Sequence, residues 1–466
     1  MLLTPTERAR LRETLAGKTF RDYADQIRRG EYLSYPVYQA LVDNTHADRI
    51  DWWRKARFGM FIHYGLYSQT GYGEWHRMRD GIPAEEYNRL ADTFCPAPDA
   101  AEQWVRTAKA AGAKYAVLTT RHHEGFSLWD SKVNPFNSVN YGCHRDIVRE
   151  FTEACRKYDI KIGFYTSLMD WNSPAADKAA YDPAARREFL DYIRALNVEL
   201  LSNYGKIDIL WYDMAFPMQD AESWETLQRD QLLRALQPDI LINERGFLPE
   251  DFSVSEESLQ QSDRDWESCL TFHSISWGYV DEEQARPYRC TPQLLVRKLN
   301  HVCRNGGNLL LNVGPRADGS LADGERETME RLGRWMAENG EVIYGVQRRC
   351  NGLGGSDAYG DYGCDMLCDV SAKGSTVYLW NLIWPKDGRL YLSGYRTAPR
   401  RVYRVRDHVE LPFTFAGHRI VIDGGSDGPF DPHLGISVIA MEFEEDFSYC
   451  FCIDCPQINE SHLAIY

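Results

Sequence analysis

The chain has no long apolar run. Nothing in its 466 residues approaches the ~20 consecutive apolar residues that span a bilayer. The opening stretch MLLTPTERARLRETLAGKTF meets charge too early to hold the apolar core of a signal peptide. Positive charge is also scarce: 53 Lys and Arg against 68 Asp and Glu leave a net charge of −15. That is the wrong sign for a nucleic-acid or anionic-membrane partner, and a neutral or cationic ligand fits better. Metal-site patterning is thin as well. The densest thiol group, Cys450-x-Cys452-x-x-Cys455 with Cys364 and Cys368 upstream, matches no strong zinc spacing. Twelve cysteines without an export signal read as reduced thiols, and the expected compartment is the cytoplasm.

What is present is apolar content of 44% with 13% aromatic residues, the composition of a globular protein. The length exceeds one ordinary core and suits a barrel followed by a smaller domain. Residues 1–50 are polar and helix-prone, a helical lead-in. From 58 the pattern alternates between short apolar runs (58–65, 114–120, 161–167, 207–212, 239–243, 308–313) and amphipathic helices, which implies a parallel sheet. Six or seven strands emerge, so an eight-stranded β/α barrel over 51–345 is the nearest architecture. Residues 247–292 break the rhythm and read as a long insertion at the barrel mouth. Over 346–466 alternating strands separated by Gly, Pro and Asp turns predict a β-sandwich domain.

Several of the barrel runs end on chemistry: His63, the pair His122-His123, Tyr165, Asp213 and Arg245. A parallel barrel gathers those strand ends on its catalytic face. Asp213 closes Ile-Leu-Trp-Tyr-Asp behind the Trp211 ring, and Arg245, at the end of the next strand, would keep that carboxylate ionised. The three histidines with Asp213 admit a metal-dependent hydrolase. Against it, adjacent residues on extended backbone point apart. Hydrogen bonds from imidazoles to the hydroxyls of a polyol account for the same residues without an ion, so no cofactor is implied.

The segments FGMFIHYGLYS with Gly73-Glu74-Trp75, TTRHHEGFSLWDSK, GFYTSLMDW, LWYDMAFP and NGGNLLLNVGPRADG resemble, in order, the motifs of glycoside hydrolase family 29, the α-L-fucosidases. That resemblance implies a catalytic β/α barrel followed by a β-sandwich, and exo-acting, retaining hydrolysis with Asp213 as nucleophile. It places His63, Glu74, Trp75, His122, His123, Tyr165, Trp211 and Arg245 in contact with the sugar. The stretch Asp251-Phe252-Ser253-Val254-Ser255-Glu256 resembles the family's Asp-Phe-x-Thr-Pro-Glu pattern and nominates Glu256 as acid/base, ahead of Glu257 and Glu267. Tyr64, Arg121, Glu124 and Thr166 depart from the usual Trp, Lys, Asp and Tyr without removing a reacting group. The implied partner is a fucosylated oligosaccharide or glycoconjugate, and a homo-oligomer remains open. A metal-dependent barrel hydrolase and a catalytically dead fucose-binding scaffold are the rival readings.

Overall fold

The structure is a computed structural model that describes residues 4–213, 216–259, 262–346, 368–393 and 395–446. The thiol cluster of Cys364, Cys450, Cys452 and Cys455 lies outside those residues, and of Cys368 only the backbone is described. No helix among them is long and apolar enough to cross a membrane. The chain divides into two compact units, Met1–Cys290 with Leu309–Arg326, and Thr291–Asn308 with Glu327–Tyr466.

The first unit is built on one eight-stranded sheet: β1 (Phe58–Ile62), β2 (Tyr115–Arg121), β3 (Lys161–Ser167), β4 (Ile209–Asp213), β5 (Leu241–Ile242), β6 (Ser253–Glu256), β7 (Trp266–Leu270) and β8 (Asn308–Val313). Their order is β5-β4-β3-β2-β1-β8-β7-β6, with parallel pairing. Strands such as Tyr-Ala-Val-Leu-Thr-Thr-Arg are buried at every position, as a parallel sheet covered on both faces requires. Intervening helices start on local signals. Asp146 accepts from the backbone N of Arg149 at the head of Ile147–Lys157, and Asp182 caps Pro183–Asn203 with proline in the first turn.

The segment 247–292 is not only an insertion. It supplies β6 and β7, and β7 is buried throughout. Both were missed because Ser-Val-Ser-Glu and Trp-Glu-Ser-Cys-Leu carry polar groups at inward positions, which erases the apolar signature of a barrel strand. β5 keeps only two ladder residues, and a parallel bridge from Asn243 to Phe252 joins it to β6 and closes the order into a barrel.

That short seam is stitched by buried charge. Asp251, just ahead of β6, takes Arg49 Nη1 at 2.5 Å and Arg234 Nη2 at 2.8 Å, and accepts from the backbone N of Ile242 at 2.9 Å. Arg49 comes from the lead-in helix Tyr35–Ala56, whose Ile50, Trp53 and Ala56 join the barrel-interior cluster with Phe61, Val117 and Trp211. The lead-in therefore fills the barrel from below.

The second unit holds two antiparallel sheets. One is ordered β12 (Arg401–Arg404), β15 (Ser437–Glu442), β10 (Thr376–Asn381), β9 (Cys368–Lys373); the other is β11 (Arg389–Ser393), β14 (Arg419–Asp423), β13 (Phe413–Ala416). Val377, Leu379, Ile439 and Met441 of the first face Leu390, Leu392, Ile420 and Ile422 of the second in one apolar core, the hallmark of a β-sandwich.

Candidate active site

Register sets the pocket floor. β3 pairs with β4 so that Tyr165 lies beside Trp211 and Ser167 beside Asp213. Side chains on a strand alternate faces, so Trp211 and Asp213 point the same way, as do Tyr165 and Ser167. All ten residues singled out from sequence line one cavity of about 140 Å³, joined by Phe61 and Trp277, which were not.

Asp213 is gripped by two donors, with an imidazole close by. Tyr165 Oη donates to Oδ2 at 2.8 Å, Arg245 Nη1 donates to Oδ1 at 2.5 Å, and His123 Nε2 stands 3.7 Å from Oδ2. Burial alone would raise its pKa, but the Arg245 charge and the hydrogen bonds from Tyr165 and Arg245 outweigh it and hold the carboxyl below its ordinary value. The other guanidinium nitrogen, Arg245 Nη2, reaches Glu256 Oε1 at 2.8 Å. Glu256 stands at the rim with 39% of its side chain exposed, and its pKa is raised: partial burial and the Asp213 charge exceed the pull of Arg245. Arg245 itself lies over the Trp211 ring, 5.1 Å from the centroid.

The histidines are neutral hydrogen-bonding groups. Burial lowers His63 to about 3 and His123 to about 4. Asn312 donates its amide N–H to the Trp277 carbonyl at 2.7 Å, which turns its Oδ1 toward His63 Nδ1 at 2.6 Å. His63 therefore donates from Nδ1 and offers Nε2 as an acceptor. Ser167 Oγ donates to the Met169 carbonyl, so His123 donates its Nδ1 hydrogen to Ser167 Oγ at 2.7 Å. His122 stacks on Tyr165 at 5.5 Å, and its buried Nδ1 has no partner among the described residues.

Glu74 lines the cavity, yet its Oε2 also builds the wall opposite. It accepts from Ser276 Oγ and from the backbone N–H groups of Trp277 at 2.8 Å and Gly278 at 2.7 Å. Gly73 reaches this turn with φ +80°, and a Cβ there would collide with Ser276, so the approach needs glycine. The anchored Trp277 ring faces His63 at 5.4 Å. Trp75 completes the far wall between His123 at 5.1 Å and Trp171 at 5.2 Å.

The competing glutamates go elsewhere. Glu257 accepts from the backbone N of Thr271 at 2.6 Å and from Ser274 Oγ at 2.8 Å, bracing its loop. Glu267 is buried in the barrel interior beneath Trp211. Of the residues missed in sequence, Asn312 had a usable signal: it is an amide one residue from the carboxyl end of an apolar strand, on the same face as the interior Leu310. Trp277 sits in a loop with no periodicity to expose it. Among the described residues no group of three or more His, Cys, Asp or Glu has metal-holding geometry.

Two carboxyl groups on one cation, walled by aromatic rings and neutral imidazoles at a barrel mouth, define a glycoside hydrolase site. The α-L-fucosidase family model matches residues 28–341. Tissue α-L-fucosidase from Homo sapiens is 31% identical over 379 residues, covering 73% of this chain and 77% of that protein. α-L-Fucosidase isoenzyme 1 from Paenibacillus thiaminolyticus superposes with a TM-score of 0.76 at 30% identity, over 86% of this chain and all of that one. A family 29 α-L-fucosidase from Bacteroides thetaiotaomicron, solved as a trapped covalent intermediate, gives a TM-score of 0.73 at 25% identity, over 85% of this chain and 96% of that one. The chain belongs to the α-L-fucosidase family.

Proposed function

We propose that this fucosidase releases single terminal α-L-fucosyl groups by double displacement, with Asp213 as nucleophile and Glu256 as acid/base. The observation that carries the assignment is Arg245, one guanidinium that grips both carboxyl groups while their proton affinities diverge, Asp213 downward and Glu256 upward. Divergent pKa values on a carboxyl pair divide the labour between an ionised and a protonated partner. A shared guanidinium suits the ~5 Å spacing of a retaining pair.

In the first step Asp213 attacks the anomeric carbon while Glu256 passes its proton to the departing oxygen. In the second, Glu256 takes a proton from water, which displaces Asp213. His63 Nε2 accepts from a sugar hydroxyl, and Tyr165 and Arg245 keep Asp213 aimed. Phe61 and Trp277 offer apolar surface to the fucose methyl group. A cavity of about 140 Å³ is smaller than the ~300–1,000 Å³ of drug-sized sites, which suits one sugar ring and exo action.

The test uses Asp213→Gly and, in parallel, alanine variants of Glu256, Glu257 and Glu267. Asp213→Gly should lose several orders of magnitude in turnover while staying folded, with azide restoring part of it by filling the nucleophile's place. Glu256→Ala should slow glycosylation severely for fucosylated oligosaccharides and little for aryl α-L-fucosides, whose phenolate leaves unaided. A folded Asp213→Gly protein with near-normal turnover would end the assignment, as would a leaving-group signature at Glu257 or Glu267 in place of Glu256.

A further inference from the structure

Glu267 is a carboxyl group that double displacement leaves unused, and it sits where charge is costly. β7 carries it into the barrel interior, where it is 1% exposed. Burial raises its pKa to about 7, against the lowering effect of its aromatic donors. An apolar side chain of similar size would fill the same space without desolvating an ion, so filling space does not explain a carboxyl at this position.

What the carboxyl does there is hold aromatic rings by their polar atoms. Tyr115 Oη donates to Oε2 at 2.5 Å, and Trp211 Nε1 donates to Oε1 at 3.0 Å. An indole has a single donor, so fixing that N–H fixes the rotation of the ring plane. The Trp211 ring in turn touches both groups that grip the nucleophile. It stacks on Tyr165 at 5.8 Å with 19° between planes, and it supports the Arg245 guanidinium at 5.1 Å. Tyr165 and Arg245 each donate a hydrogen bond to Asp213, and Arg245 also reaches across to Glu256. An unbroken chain of contacts thus runs from Glu267 through one indole to both reacting carboxyls.

We propose that Glu267 is a positioning residue: by accepting the Trp211 indole N–H from beneath the pocket, it sets the ring plane on which Arg245 rests, and through Arg245 the alignment of Asp213 with Glu256. The inference rests on the assignment of those two residues as the reacting pair. Misplacement of reacting groups by about 1 Å can cost ~100-fold in rate, so loss of the anchor should be felt mainly in kcat.

The experiment compares Glu267→Met, Glu267→Gln, Trp211→Phe and the double variant Glu267→Met/Trp211→Phe, each assayed with an aryl α-L-fucoside and a fucosylated oligosaccharide. Glu267→Met should lower kcat about ten- to a hundredfold, more than it raises KM, and equally for both substrates. Glu267→Gln should recover most of that loss, because its amide oxygen still accepts the indole N–H. In the Trp211→Phe background, which has no N–H to anchor, adding Glu267→Met should change kcat less than about twofold, since coupled residues are non-additive. Full additivity in that background, or a Glu267→Met protein with normal kcat and only a lower Tm, would overturn the proposal. A leaving-group signature at Glu267 would overturn it differently, by making Glu267 the acid and displacing Glu256. Should Glu267→Met fail to fold, Trp211→Phe remains decisive, because wild-type kcat in a protein lacking the N–H refutes the anchor.

Discussion

Replacing Arg245 by Gln should move the whole pH profile, because both carboxyls of the proposed reacting pair lean on that guanidinium. For a charge pair about 4 Å apart near a protein surface the attraction is ~4 kcal/mol at an effective dielectric of 20, or about three pKa units. Arg245 divides itself between Asp213 at 2.5 Å and Glu256 at 2.8 Å, and its side chain is 24% exposed, so solvent screens part of the attraction. A rise of ~1–3 units is the corresponding range for a carboxylate losing an adjacent arginine. The sign is the same for both groups. Asp213 must be ionised to attack, and without the cation its burial is no longer outweighed, so the acid limb of kcat/KM rises. Glu256 must be protonated to act as acid, and its already raised pKa rises further, so the alkaline limb follows. The bell should therefore shift toward higher pH by one to three units as well as fall in height. Arg245→Lys keeps the charge but not the fork, and should hold the limbs near their wild-type positions at a reduced kcat. The assay is kcat/KM for an aryl α-L-fucoside across pH 4 to 9, with circular dichroism to verify folding. Stationary limbs in a folded Arg245→Gln enzyme would refute the electrostatic role and leave Arg245 as a hydroxyl-binding group.

Two other perturbations probe different parts of the argument. Because the imidazoles are assigned to hydroxyl contacts, activity should survive exhaustive chelation, and loss that zinc restores would favour a metallohydrolase. Asp251→Asn should destabilise the barrel by about 3–5 kcal/mol, since it strands Arg49 in the interior and leaves Arg234 with Glu250 alone. Asp251 has a lowered pKa in the fold, so its contribution is present above the unfolded value of ~3.9 and lost as pH falls below it. In denaturant titrations the gap between wild type and variant should narrow in acid, and a gap independent of pH would contradict the ionic account.

The Asp213 end of the cavity was legible because barrel geometry converts sequence position into place. Tyr165, Trp211, Asp213 and Arg245 each stand at or beside the carboxyl end of an apolar run, and parallel pairing in register gathers such ends on one face. The Glu256 end was harder. Glu256 lies on a four-residue strand of mostly polar composition that sequence pattern merged with the surrounding loops. The structure puts Glu256 on the cavity, whereas Glu257, one residue on, has a positive φ of 47° and hydrogen bonds to Thr271 and Ser274 that commit it to the loop. Alternation predicts which face a strand residue takes. It cannot say which of two neighbours the following turn will claim.

Asn312 and Glu267 show why polar groups inside a barrel resist pattern reading. Each interrupts an apolar strand at an inward position, where composition alone marks a weak strand rather than a site. Each is nonetheless the partner that fixes an aromatic ring: Asn312 sets the hydrogen-bonding face of His63, and Glu267 engages the indole of Trp211. A buried polar atom costs free energy unless it is paired, so an inward polar residue in a core strand implies a second group that needs it. In a barrel that second group is reached across the interior, from a strand distant in sequence, as β7 reaches β4 here. The more useful sequence rule is therefore to treat each inward polar residue of a barrel strand as half of a pair, and to seek its partner among the aromatic and imidazole groups of the other strands.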